Sequence, residues 1–282
     1  KYGAKKVFLF SDENTERAAG ETVAEILNAS GIPFAKYVFP GERFEPDETS
    51  VGSAVMHFDP SCDMIITVGT GCLNDIGKIV ANVSGKPYMI VGTAPSMDGY
   101  SSATSSMIRD GLKISLDSKC PEIVVGDLDV LSASPLRMIQ AGIGDMAAKY
   151  VSIGEWQLSH VINGEYYCST VADMVSAALK KCADNASGIM ARDPGAVRAV
   201  MEGMVLAGIA ANYAGVSRPV SGMEHYFSHI WDMRALEFDA NSDLHGIQCG
   251  VATLLALKVF DYVKTVVPNR EKALAYAKAF DY

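Results

Sequence analysis

Close cysteine pairs are missing from this chain. Its six cysteines are Cys62, Cys72, Cys120, Cys168, Cys182 and Cys249, and no CxxC or zinc-finger spacing occurs among them. That excludes a zinc-finger framework and leaves reduced thiols of a cytosolic protein as the plain reading. Cys72 lies in a glycine-rich turn, where it is expected to contribute backbone rather than a nucleophile. Basic runs are missing as well. With 24 Lys and Arg against 33 Asp and Glu, the net charge is −9, which argues against nucleic acid as a partner. No apolar stretch is read as reaching the roughly 18–20 residues of a membrane span. No signal peptide is visible, and because the chain begins at Lys1 rather than Met, a segment ahead of it stays open. Histidine is scarce, with five in all.

What is present is a large apolar complement, 49% of 282 residues, enough for one or two domains. The first half alternates strands and helices. Residues 7–10, 34–39, 64–68 and 88–91 read as strands. Residues 15–29, 48–57 and 73–83 read as helices. The run Met64-Ile65-Ile66-Thr67-Val68 has almost no polar alternation, as in a parallel sheet covered on both faces. An α/β, Rossmann-like doubly wound domain is expected. After Pro135 helical patterns dominate, over 135–141, 145–162, 170–186, 194–214, 222–234 and 245–265. The expected division is therefore residues 1–134 and an all-helical part 135–282, with a cleft between them. The final helical stretch, 271–280, has no stop signal, so truncation at the C-terminus is expected.

Three motifs carry chemistry. Gly69-Thr70-Gly71-Cys72-Leu73-Asn74-Asp75 follows the third strand and opens a helix, a place suited to phosphate. It is neither GxGxxG nor a P-loop, and a plain strand-to-helix turn is the bland alternative. Thr93-Ala94-Pro95-Ser96-Met97-Asp98-Gly99-Tyr100-Ser101-Ser102 follows the fourth strand, where loops face the ligand crevice; a solvated serine-rich loop is its bland alternative. Asp145, His225 and His245 form the third set. One carboxylate with two imidazoles suits a catalytic divalent metal with an open position. Ser221 to Glu224 resembles a capping box, and His225 and His229 then share a helix face. The pattern is not HExxH. Each histidine alone is more often a hydrogen-bonded core residue. Lys113 and Arg218 are candidates for gripping a phosphate, with a paired surface charge as the alternative for each.

In this order the motifs resemble the superfamily of iron-containing alcohol dehydrogenases, glycerol dehydrogenases and dehydroquinate synthases. More narrowly, the chain is similar to sn-glycerol-1-phosphate dehydrogenases of bacterial type. The residues that say so are 69–75, 93–100, Gly142-Ile143-Gly144-Asp145-Met146-Ala147-Ala148-Lys149-Tyr150, 217–232 and Leu244-His245-Gly246-Ile247-Gln248-Cys249-Gly250-Val251. The family usually carries Gly or Ser where Thr70 stands, and its members extend beyond both ends of this chain.

The resemblance implies a dehydroquinate synthase-like fold and reduction of dihydroxyacetone phosphate to sn-glycerol 1-phosphate by NADH or NADPH, for glycerophospholipid synthesis. It implies that Gly69, Gly71, Cys72, Leu73, Asn74, Asp75, Thr93, Ser96 and Ser102 meet the cofactor. Asp145, His225 and His245 would hold zinc, nickel or iron. Asp98, Asp145 and His229 would handle substrate and proton, with Lys113 and Arg218 on its phosphate. A cytoplasmic homo-oligomer is expected. Glycerol dehydrogenase and a dehydroquinate synthase-like lyase are the rivals, with a non-enzymatic metal-binding module behind them. For the ribose hydroxyls, Asp12, Glu42 and Glu45 are candidates.

Overall fold

The computed structural model describes residues 3–41, 45–266 and 269–279; Glu42 and Phe280 lie outside them. Strands β1 (Val7–Asp12), β2 (Phe34–Phe39), β3 (Met64–Gly69), β4 (Tyr88–Gly92) and β7 (Ile123–Gly126) form one parallel sheet in the order β2-β1-β3-β4-β7. β3 is buried along its whole length and β1 along nearly all of it, because helices cover both faces. Phe8, Phe10, Ile65 and Ile90 point to one face and pack with Ala54, Ile76 and Val80. Those partners come from α3 (Glu48–His57) and α4 (Gly71–Ser84). Val7, Leu9, Ile66 and Val68 point to the other face, against Ala24 and Leu27 of α2 (Glu21–Ala29). The period-2 alternation of a strand does this sorting. A short α1 (Glu13–Thr15) and a wider helical turn, Glu16–Gly20, lead into α2.

The sheet also holds β7, and an antiparallel hairpin, β5 (Thr104–Arg109) with β6 (Leu112–Asp117), stands outside it. The sequence reading found neither. The hairpin turns at Asp110-Gly111, both at positive φ (52° and 75°), a dipeptide that favours such turns. β7 has only four residues.

The remaining helices are α5 (Leu128–Ala133), α6 (Leu136–Asn163), α7 (Ser169–Asn185), α8 (Pro194–Ala214), α9 (Met223–Glu237), α10 (His245–Thr265) and α11 (Arg270–Ala279). Two helices were expected over 135–162, broken at Gly142-Ile143-Gly144. The structure corrects this to one helix of 28 residues. The glycines serve close approach, not a turn. A Cβ at Gly142 would lie 1.9 Å from the Pro95 carbonyl oxygen, and one at Gly144 would lie 2.3 Å from that of Gly246. The capping box expected at Ser221 does not form. Gly222 precedes α9 instead, its N–H donates to Glu224 Oε1 (2.8 Å), and the Met223 N–H donates to Glu155 Oε2 (2.8 Å). No spanning stretch was expected, yet α8 and α10 are long and apolar enough for one by length and composition. α8 meets that test as a core helix, with 56% of its apolar window buried, against 33% for α10.

Candidate active site

The order of the sheet reverses between β1 and β3, and a crevice opens beyond their carboxyl ends, the usual ligand position in such sheets. A cleft of about 640 Å³ lies there, lined by Asp12, Thr70, Cys72, Leu73, Thr93 and Met138 among others. Thr70 makes no capping hydrogen bond to α4, so the first N–H groups of that helix remain available to an anion. A Cβ at Gly69 would strike Leu73 Cδ1 at 2.2 Å, so packing demands glycine there. A Cβ at Gly71 would meet only Met97, at 3.5 Å. Packing therefore gives no reason for glycine at 71, whereas a ligand lying on the backbone would.

Several expected cofactor residues work beneath the cleft rather than on its wall. The Asn74 amide donates to the Gly99 carbonyl (3.0 Å) and accepts from the Tyr88 hydroxyl (2.9 Å). Asp75 pairs with the fully buried Lys78 at 2.9 Å; burial raises the Asp75 carboxyl, with Lys78 opposing. Lys78 also donates to the Ser102 hydroxyl (3.2 Å) and the Gly99 carbonyl (3.1 Å). Together they pin the loop after β4. Ser96 is buried and its N–H donates to the Ala94 carbonyl. The Cys72 thiol is pushed up to about 12 by burial, reinforced by the acidic side chains Glu45, Asp75 and Asp12, so it is no nucleophile at neutral pH.

The second constellation grows from the contact of α6 with α10. A Cβ at Gly246 would sit 2.0 Å from the Ala141 carbonyl oxygen, and one at Gly250 would sit 3.0 Å from Gly144 Cα. Backbones that close bring Asp145, in the middle of α6, beside His245 at the start of α10. α9 adds His225. Donor atoms of Asp145, His225, His245 and Cys249 lie within 4.8 Å of one another. The Asp145 Oδ1 to His225 Nε2 distance is 4.0 Å, and the two imidazole centroids are 5.1 Å apart. Bonds of about 2.0–2.3 Å to zinc allow donors up to about 4 Å apart, so modest side-chain rotation suffices. His229 is half-buried, its ring 6.3 Å from those of both His225 and His245.

Both imidazoles are oriented from behind. The Glu224 carboxylate is completely buried and its Oε1 accepts from His225 Nδ1 at 2.7 Å. The Ser228 hydroxyl donates to Gln248 Oε1 (2.7 Å), leaving its oxygen to accept from His245 Nδ1 (3.1 Å). Gln248 in turn donates to Asp232 Oδ1 at 2.8 Å, and Asp232 pairs with Lys113. In this pattern each Nε2 keeps its lone pair for a metal. Burial, then His225, lowers His245 to about 3, so it is neutral at physiological pH. Burial alone would raise Asp145, but Lys149, His245 and His225 outweigh it and hold the carboxyl at about 2. Burial and the neighbouring Asp145 charge raise Asp98.

Asp98, in the turn Asp98–Ser101, joins the two halves of the site. Its N–H donates to Asp145 Oδ2 at 2.9 Å, while Thr93 and Ala94 of the same loop line the cleft. Lys113 reaches the site from β6. Arg218 is instead paired with Glu165, just past the C-terminal end of α6, at 3.0 Å. The sequence reading missed Cys249, Lys149, Glu224, Ser228 and Gln248. Cys249 and Gln248 stand four and three residues after His245, and Lys149 four after Asp145, spacings that share a helix face.

Residues 1–135 match the iron-containing alcohol dehydrogenase family. A curated relative from Bacillus subtilis, glycerol-1-phosphate dehydrogenase [NAD(P)+], is 31% identical over 280 residues, covering 96% of this chain and 71% of the relative. Its counterpart from Halalkalibacterium halodurans is 35% identical over 256 residues, covering 90% of this chain and 64% of the relative. The chain spans 64% or 65% of the length of the first relatives it matches. The crystal structure of glycerol dehydrogenase from Schizosaccharomyces pombe superposes with a TM-score of 0.71 at 19% identity, covering 91% of this chain and 65% of that one.

Proposed function

The chain belongs to the glycerol-1-phosphate dehydrogenase family within the iron-containing alcohol dehydrogenases, and from that premise we propose that it reduces dihydroxyacetone phosphate to sn-glycerol 1-phosphate with NADH or NADPH. The observation that carries the reading is the set Asp145, His225 and His245, with donors inside 4.8 Å, joined through Asp98 to the loop that walls the cleft. Residues 1–134 would hold the dinucleotide, and residues 135–282 would supply most of the metal and substrate site.

The uncapped start of α4, with Gly71 through Leu73, would receive the pyrophosphate, and Thr93 would line the cofactor beside it. Asp145, His225 and His245 would hold one divalent ion, zinc, nickel or iron, whose Lewis acidity polarises the carbonyl. A nicotinamide bound in the cleft would supply the hydride. Asp98 would accept a hydrogen bond from a substrate hydroxyl. Its Oδ2 is buried and, among the described residues, has no hydrogen-bond partner beyond the ionic contact with Lys149. His229 would pass a proton to the new hydroxyl oxygen. Burial, then Lys113, lowers its pKa, so it works as a relay from solvent rather than a stored acid. Lys113 would meet the phosphate, exchanging part of its pairing with Asp232; Arg218 would require its bond to Glu165 to open. The reading includes a cytoplasmic homo-oligomer serving glycerophospholipid synthesis.

The test is to strip metal from the purified protein, restore zinc or nickel, and follow NADH absorbance with dihydroxyacetone phosphate. Activity should vanish on stripping and return on refilling. Full turnover by protein shown to be metal-free would overturn the assignment.

A further inference from the structure

Lys149 has no part in the reaction as described, yet it sits at the centre of the site. Its side chain is completely buried. Nζ lies 2.7 Å from Asp145 Oδ1 and 2.6 Å from Asp98 Oδ2. It follows Asp145 by one helical turn, so the face of α6 that offers a metal ligand also offers that ligand a fixed cation. Both Asp145 oxygens are then engaged, Oδ2 by the Asp98 N–H and Oδ1 by the ammonium. Oδ1 is also the oxygen 4.0 Å from His225 Nε2, the one an ion shared with that imidazole would take. Two carboxylates, Asp98 and Asp145, share this single ammonium, and a third, Glu224, lies behind His225.

We propose that Lys149 is the metal site's internal counter-ion: it competes with the divalent ion for Asp145 Oδ1, and it keeps only its pairing with Asp98 when the ion binds. This rests on the reading of Asp145 as a ligand. Two buried carboxylates facing each other without a cation would repel, so the ammonium keeps the metal-free site assembled. The same charge, a few ångströms from the ion in a poorly screened interior, weakens metal binding. Lys149 is therefore a positioning residue whose removal should tighten the metal site, the reverse of what loss of a scaffold residue does.

The experiment titrates metal-free protein with zinc against a chromophoric chelator. Lys149→Gln keeps a donor and removes the charge; it should bind zinc at least about tenfold more tightly than the parent and release it more slowly to EDTA. Lys149→Arg keeps the charge and should stay near the parent value. Equal or weaker binding by a folded Lys149→Gln protein would overturn the inference. If that variant does not fold, the zinc-loaded parent decides by crystallography. Nζ should then have left Asp145 Oδ1 and stayed on Asp98; Nζ still bonded to Oδ1 beside a bound ion would refute the idea. His225→Ala separates the two readings: it should lose zinc whatever stands at 149. No zinc uptake by the parent would sink the metal reading, and this inference with it.

Discussion

Substituting Gly246 by alanine tests whether the α6–α10 contact builds the metal cluster. The added Cβ would lie 2.0 Å from the Ala141 carbonyl oxygen, with Ala141 C at 2.6 Å and Cα at 3.1 Å. These are backbone atoms of a helix and cannot rotate away, so one helix must retreat by about an ångström. His245 is the neighbouring residue and Asp145 lies one turn beyond Ala141, so the retreat separates two donors of the cluster. Overpacking of this kind costs about 1–3 kcal/mol, a drop of several degrees in melting temperature for a chain this long. The internal control is Gly154→Ala on the same α6, where a Cβ would meet nothing within 4 Å. Alanine is a better helix former by about 0.5–1 kcal/mol, so this variant should melt higher. Differential scanning fluorimetry with and without zinc reads both effects. Gly246→Ala should melt lower and lose most of its zinc-induced shift, while Gly154→Ala keeps that shift. A Gly246→Ala protein with parental melting and zinc response would refute the reasoning.

Other substitutions probe single links. Glu224→Gln should weaken zinc binding about 10–100-fold, because an amide can donate to His225 Nδ1 and move the proton to Nε2; unchanged affinity by chelator competition would contradict the orienting role. His225→Ala should abolish activity and bound metal together, and full activity without metal would exclude it as a ligand. Asp98→Ala should raise the KM for substrate more than that for NADH, and equal losses would argue against its place on the substrate. For pH, the sign follows from His245, which burial and His225 hold at about 3 in the folded chain against about 6.5 unfolded. The unfolded chain takes up a proton the native one refuses, so stability is lost as pH falls from about 7 towards 3. Asp145, held at about 2, acts in the same direction only below about pH 4. Metal-free protein should melt lower at pH 5 than at pH 8, and His245→Asn should flatten the difference.

The parallel sheet was legible because its central strands are continuous apolar runs; Met64 to Val68 has no other comfortable home. The β5–β6 hairpin was signalled by Asp110-Gly111 but passed over, since its strands are half polar and half exposed. Gly142 and Gly144 misled the reading of α6, because close contact with Pro95 and with α10 demands glycine as strongly as a turn does. Asp145, His225 and His245 could be picked out by residue type. Lys149, Glu224 and Gln248 could not, because their roles depend on which helix faces meet. Arg218 looked like a phosphate partner by position in the chain, and only the structure shows Glu165 beside it.

The most direct measurement compares kcat/KM for dihydroxyacetone phosphate and for dihydroxyacetone, with zinc- or nickel-loaded protein and NADH. The account expects metal-dependent turnover of the phosphate and little turnover of plain dihydroxyacetone. Efficient turnover of the unphosphorylated compound alone would contradict it and make the protein a polyol dehydrogenase.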